Sequence, residues 1–118
     1  MGCGPCRLTT PWRRDPQCAY CVSTLVLGLE ELYRITLEPS YRDLALACAA
    51  WLDGNNSAGV ALYDAGTGRC ADGVTAGRPS PHCGAESAIE AGFMELARRH
   101  VQGRERVSEA SVSSQLAR

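Results

Sequence analysis

The sequence predicts an all-α chain: an antiparallel helical hairpin followed, after a long turn-rich loop, by a third helix. Three observations predict it. Apolar residues recur at three- and four-residue spacing in three separate stretches. Pro39 leaves only a short connection between the first two stretches, which forces them to run antiparallel. Glycine recurs at 54, 59, 66, 68, 73, 77 and 84, so turns dominate the interval before the third helix.

In the first stretch Cys18, Cys21, Val22, Leu25, Leu29, Leu32 and Tyr33 share one face, and Asp15-Pro16 offers a cap followed by proline in the first turn. A helix over 16–35 is expected, ended by Pro39. Ser40 can cap the second helix, over 41–52, in which Tyr41, Leu44, Ala45, Cys48, Trp51 and Leu52 repeat the pattern. Asp53-Gly54-Asn55-Asn56 then supplies residues suited to helix termination. Within the loop, the run from Gly59 to Tyr63 reads as a short extended piece that pairs near Val74. The third helix, over 85–99, places Ala85, Ala88, Ile89, Gly92, Phe93 and Leu96 on one side. Glu86 and Glu90 early in that helix, and Arg98, Arg99 and His100 late in it, suit its dipole. The organisation expected is an irregular segment over 1–15, one helical unit over 16–100 and a mobile, Ser-, Glu- and Arg-rich tail over 101–118.

Composition excludes several function classes. A net charge of −1 gives no field to attract a polyanion, so no nucleic-acid partner is expected. The longest apolar stretch, Val22 to Leu29, falls short of the roughly 20 residues a membrane span needs. Met1 to Thr10 lacks the apolar run of a secretion signal, and the sequence-based expectation is a cytoplasmic location. Low aromatic content, 6%, leaves the core to Leu, Val, Ala and Cys.

Seven cysteines demand a reading. Cys3, Cys6, Cys18 and Cys21 form two C-x2-C pairs able to supply four thiolates to a tetrahedral zinc, or a redox pair. The intervening stretch is short for a zinc ribbon, and the second pair already fits a helix face. Ordinary burial as small apolar side chains is the reading preferred here, with Cys48 packing against Trp51. No metal site and no cofactor is therefore expected.

From Trp51 to Glu90 the sequence reads WLDGNNSAGVALYDAGTGRCADGVTAGRPSPHCGAESAIE. Trp51, Gly54, Asn56, Gly59, Tyr63, Asp64, Thr67, Gly68, Asp72 and Gly73 follow the pattern W-x-x-G-x-N-x-x-G-x-x-x-Y-D-x-x-T-G-x-x-x-D-G, and a second block, Gly84-Ala85-Glu86-Ser87, leads into a helix. This resembles the carboxy-terminal part of bacterial glycosidase-like domains of the six-hairpin (α/α)6-toroid class, over about residues 16 to 100. Arg78 to Cys83 depart from the resembled pattern, which is usually Asn-rich there. The resemblance implies a fragment of a carbohydrate-processing, glycoside hydrolase-like domain, part of an (α/α)6 toroid and inactive alone. It also implies that further hairpins, or another chain, complete the fold around a carbohydrate substrate.

Glycosidic cleavage usually needs two carboxyl groups, and Glu86, Asp72 and Asp64 are the catalytic candidates. Partial burial beside Ile89 and Phe93 would raise the proton affinity of Glu86 enough for a donor role. A first-turn glutamate that favours the helix dipole is the plainer reading of Glu86, and turn formation that of both aspartates. Tyr63, Asn56 and His82 are the candidate substrate contacts, Tyr63 by stacking on a sugar ring. Trp51, in phase with Leu44 and Cys48, reads as core. Two alternatives stay open: a non-catalytic helical module that binds glycan or protein, and a small zinc module on the four cysteines.

Overall fold

The computed structural model describes residues 16–118, the side chain of Glu105 apart. Its elements are β1 (Gln17–Cys18), α1 (Ala19–Thr36), α2 (Pro39–Ala49), a 3-10 turn (Ala50–Asp53), β2 (Tyr63–Asp64), β3 (Arg69–Cys70), β4 (Gly73–Thr75), β5 (Arg78–Pro79) and α3 (Ala85–Leu116). The all-α expectation is therefore corrected. Five short strands form two antiparallel sheets, one in the order β1-β4-β5 and one pairing β2 with β3, so the fold is mixed, and nothing in it shows a toroid. The expected segment 1–15, with Cys3, Cys6 and Asp15, lies outside the described residues.

The strands arise where the glycines permit tight reversals. Between β4 and β5 the two-residue link Ala76-Gly77 has φ of 51° and 72°, the positive pair that a type I′ hairpin turn requires. Thr75 thereby pairs with Arg78, and Val74 with Pro79. On its other edge Val74 pairs with Gln17 and Gly73 with Cys18. Val74 thus takes its partners from β1 and from β5, and not from the Gly59–Tyr63 run as expected; Tyr63 pairs with Cys70 instead.

Helix α1 begins later than the sequence suggests. Its N-cap is Cys18, in extended backbone, because Gln17 and Cys18 are engaged by β4. It ends at Leu37, whose φ of 57° lets its N–H reach the Tyr33 carbonyl at 2.8 Å, a left-handed cap made without glycine. Pro39 is then the first residue of α2, with Glu38 as N-cap, so the proline opens a helix and Ser40 lies inside it.

The core is built from small residues where helices meet. Ala19, Val26, Ala49, Trp51, Leu52, Leu62, Cys70, Ala71, Val74, Ala91, Met94 and Ala97 form one cluster, and Tyr33, Ala45 and Val101 a second. Along α3 the inward positions are Ser87, Ala91, Met94, Ala97 and Val101. The face expected from the sequence points the other way: Ile89, Phe93 and Leu96 are 58%, 46% and 50% exposed. Both sides of this helix carry apolar residues at helical spacing, and the alanine side wins the core because it lets α1 and α2 approach closely. Leu25, Leu32 and Leu44 of the other two helices are exposed in the same way.

Past His100, α3 continues without interruption through the stretch read as a tail, ending at Leu116. No proline breaks it, and Gly103 is its one weak helix former after Gly92. Its basic residues near position 99 are consequently mid-helix. Arg98 ties α3 to the preceding turn, donating to the Ala49 carbonyl at 2.8 Å and pairing with Asp53 at 2.9 Å. That donor satisfies a carbonyl left open at the end of α2. Among the described residues, no helix is long and apolar enough to cross a membrane.

Candidate functional site

The loop between α2 and α3 is organised from side chains inward. Trp51 is buried, and its indole N–H donates to the Gln17 side-chain oxygen at 3.1 Å. The same oxygen accepts from the Ser57 N–H and hydroxyl at 3.1 and 3.2 Å. Trp51 is core, and Gln17, which sequence reading passed over, locks β1 to the loop.

Asn56 donates to the carbonyls of Trp51 and Val60, both at 2.8 Å. Its oxygen accepts from Ala58 and Gly59 at 3.0 and 2.9 Å. Four bonds exhaust what a primary amide can comfortably offer, so in this structure Asn56 holds its own bend. Asp64 behaves alike within the β2–β3 turn. One carboxylate oxygen accepts from the Gly66 N–H and the other from the Thr67 hydroxyl, each at 2.9 Å. Those bonds hold its carboxyl below the usual range, the Thr67 hydroxyl contributing most. Tyr63 is half-buried beside that turn and packs on the larger core cluster.

Asp72, His82 and Glu86 come together at the N-terminus of α3. Asp72 donates its N–H to the His82 carbonyl at 2.9 Å and accepts the Ala19 N–H on its own carbonyl at 3.1 Å. Its Oδ1 accepts from the Ser87 hydroxyl at 2.6 Å and the Gly84 N–H at 2.7 Å. Ser87 first, then Gly84, holds this carboxyl below the usual aspartate range, with the His82 charge adding to the effect. Ionised, it caps α3 from twelve residues upstream, where negative charge suits the dipole. A Cβ at position 84 would stand 3.2 Å from Asp72 Oδ1, so glycine there keeps the approach open. Oδ2 accepts no hydrogen bond from the described residues.

Glu86 occupies the first turn of α3 next to Ser87 and is exposed; it makes no hydrogen bond or ion pair with the described residues. The apolar anchor expected beneath it is not there, because Ile89 and Phe93 face outward. The His82 imidazole is likewise exposed. Ser87, which the sequence reading treated only as part of a motif block, is the residue that joins the two carboxylates' neighbourhoods; its signal was its place three residues after Gly84, where a hydroxyl can reach a capping group.

A cleft among the described residues lies away from this site, between the end of α1, the start of α2 and the later half of α3. It measures about 1210 Å³, is lined by Tyr33, Leu37, Arg42, Arg99, Val101 and Arg104 among others, and includes none of the candidate residues. It forms where the long α3 overhangs the α1–α2 turn. Among the described residues, no group of three or more His, Cys, Asp or Glu side chains is placed to hold a metal ion. Comparison with protein-family models and with curated proteins finds no match for this chain.

Proposed function

We propose that this chain is part of a carbohydrate-processing domain of the glycoside hydrolase-like kind, in which the α3 N-terminus presents the working carboxylates. The observation that carries the reading is Asp72, fixed through Oδ1 by Ser87 and Gly84, kept ionised, and with Oδ2 unengaged by the described residues. A clamped, charged carboxylate is what the base or nucleophile position of such chemistry needs. Glu86, exposed and with no side-chain partner among the described residues, is the matching acid one residue before Ser87, and His82 and Tyr63 are the sugar contacts. Asp64 and Asn56 serve this site as builders of the loop, since their polar atoms are already committed.

The site is a surface without walls in the described residues, which favours binding without turnover by this chain alone. Its walls would come from further helices, of this protein or another, covering Ile89, Phe93 and Leu96 of α3 and Leu25 and Leu32 of α1. A cytoplasmic location belongs to the same proposal, on the free thiols of Cys18, Cys21, Cys70 and Cys83, which a reducing compartment preserves.

The test is a titration of the labelled protein with neutral oligosaccharides, followed by amide and side-chain NMR. Shifts confined to Tyr63, His82, Glu86 and the Asp72 neighbourhood, weakened in Glu86→Gln with unchanged helicity, support the reading. Unmoved resonances at all four positions across the panel would overturn it.

A further inference from the structure

The start of α1 carries a second chemistry unrelated to the carboxylates. Cys18 is its N-cap, and the Cys18 sulfur accepts the Cys21 N–H at 3.3 Å. Cys21 stands in the first turn, and its thiol is held above the usual range, by the neighbouring Cys18 side chain first and by burial second. Both thiols are free; Cys18 is half-buried and Cys21 exposed. No acidic residue occupies the first turn of α1. The backbone of Cys18 is fixed from behind: it pairs with Gly73, and the next N–H, of Ala19, is bonded to Asp72. Cys18 and Cys21 stand three positions apart across the helix start, joined by the bond from the Cys21 N–H to the Cys18 sulfur.

We propose that Cys18 and Cys21 form a thiol–disulfide exchange site that reacts with low-molecular-weight disulfides. Cys18, as thiolate, attacks one sulfur of the disulfide RS–SR, forming Cys18–S–SR and releasing RS⁻. Cys21, after losing its proton to solvent, attacks the Cys18 sulfur and expels the second RS⁻. Both leaving thiolates take up a proton. The protein dithiol is oxidised to one disulfide, and RS–SR is reduced to two RSH.

Three features assign the order of attack. Cys18 is the sulfur that a backbone N–H at the helix start addresses. The Cys21 thiol, held above the usual range by the Cys18 side chain beside it, keeps its proton until the mixed disulfide has formed. Its exposed position then leaves it free to resolve the adduct.

The experiment exposes the full chain to oxidised glutathione, blocks remaining thiols with an alkylating agent and maps the peptides by mass spectrometry. The expected product is a Cys18–Cys21 disulfide, formed while exposed Cys83 is still largely alkylated. Cys21→Ser should accumulate glutathione on Cys18, and Cys18→Ser should slow modification at Cys21 by on the order of tenfold. Serine is itself a good N-cap, so circular dichroism should show α1 retained in the Cys18→Ser variant. Alkylation of both Cys18 and Cys21 in the wild type after Cys83 has reacted would overturn the proposal. So would a bridge from either to a different cysteine, or stoichiometric zinc that shields both.

Discussion

Replacing Gly73 by alanine places a methyl group where there is no room for one. A Cβ at this position would stand 2.1 Å from the Gln17 carbonyl oxygen and 3.2 Å from Cys18 Cα. Both neighbours are backbone atoms of β1, so no side-chain rotation relieves the clash. Either β1 separates from β4 or the Gln17 bonds to Trp51 and Ser57 shift with it. Overpacking of well-filled sites costs about 1–3 kcal/mol where side chains can adjust, and a backbone obstacle belongs at the top of that range. For a domain of this size each kcal/mol moves the midpoint of thermal unfolding by about 4 °C, so Gly73→Ala should melt roughly 10–15 °C lower. The control is Gly28, inside α1, where a Cβ meets nothing within 4 Å. Gly28→Ala removes a helix-interior glycine and should gain about 0.5–1 kcal/mol. Thermal melts followed at the helical dichroism band give both values. Hydrogen exchange at the Ala19 amide, bonded to Asp72 across the same junction, should speed up only in Gly73→Ala. Equal melting of the two variants, or an unmoved Gly73→Ala, would refute the view that close backbone approach of β1 to β4 organises this end of the fold.

Other expectations follow from the same contacts. Asp64 and Asp72 are held below their ordinary value of 3.8, so the stability they contribute is full above that pH and is lost as the pH falls through their lower folded values. Thermal midpoints should be nearly flat from neutrality to about pH 4 and drop below it, with a shallower acid limb in Asp72→Asn; identical limbs would dismiss the clamp. Asn56→Ala removes four hydrogen bonds from one bend and should cost about 2–4 kcal/mol, read as a lower denaturant midpoint with an unchanged slope. Ala91→Leu, at a fully buried helix contact, should cost about 1–3 kcal/mol, whereas Phe93→Gln, on the exposed face, should stay within about 0.5 kcal/mol. A reversal of that order would put the core on the other side of α3.

Local chemistry in the sequence was enough to place three helices, the glycine-rich interval between the second and third, and the burial of Trp51. Each of those depends on spacing, capping and turn residues that act over a few positions. The α3 core face was not legible, because Ile89, Phe93 and Leu96 are as periodic as Ala91, Met94 and Ala97. Only packing against α1 and α2 selects the smaller side chains. The two sheets were hidden for a related reason. Strands of two or three residues carry no period of their own, and Gln17 pairs with Val74 across 57 positions, beyond the reach of any local pattern. At the candidate site, the residue types pointed to Asp64, Asp72, Glu86, Asn56, Tyr63 and His82 alike. Tertiary structure alone separates them, committing Asn56 and Asp64 to their own turns and bringing Asp72 to the start of α3. A hydrogen bond is decided by where its partner stands in space, and for Asp72 that partner, Ser87, arrives from fifteen residues away.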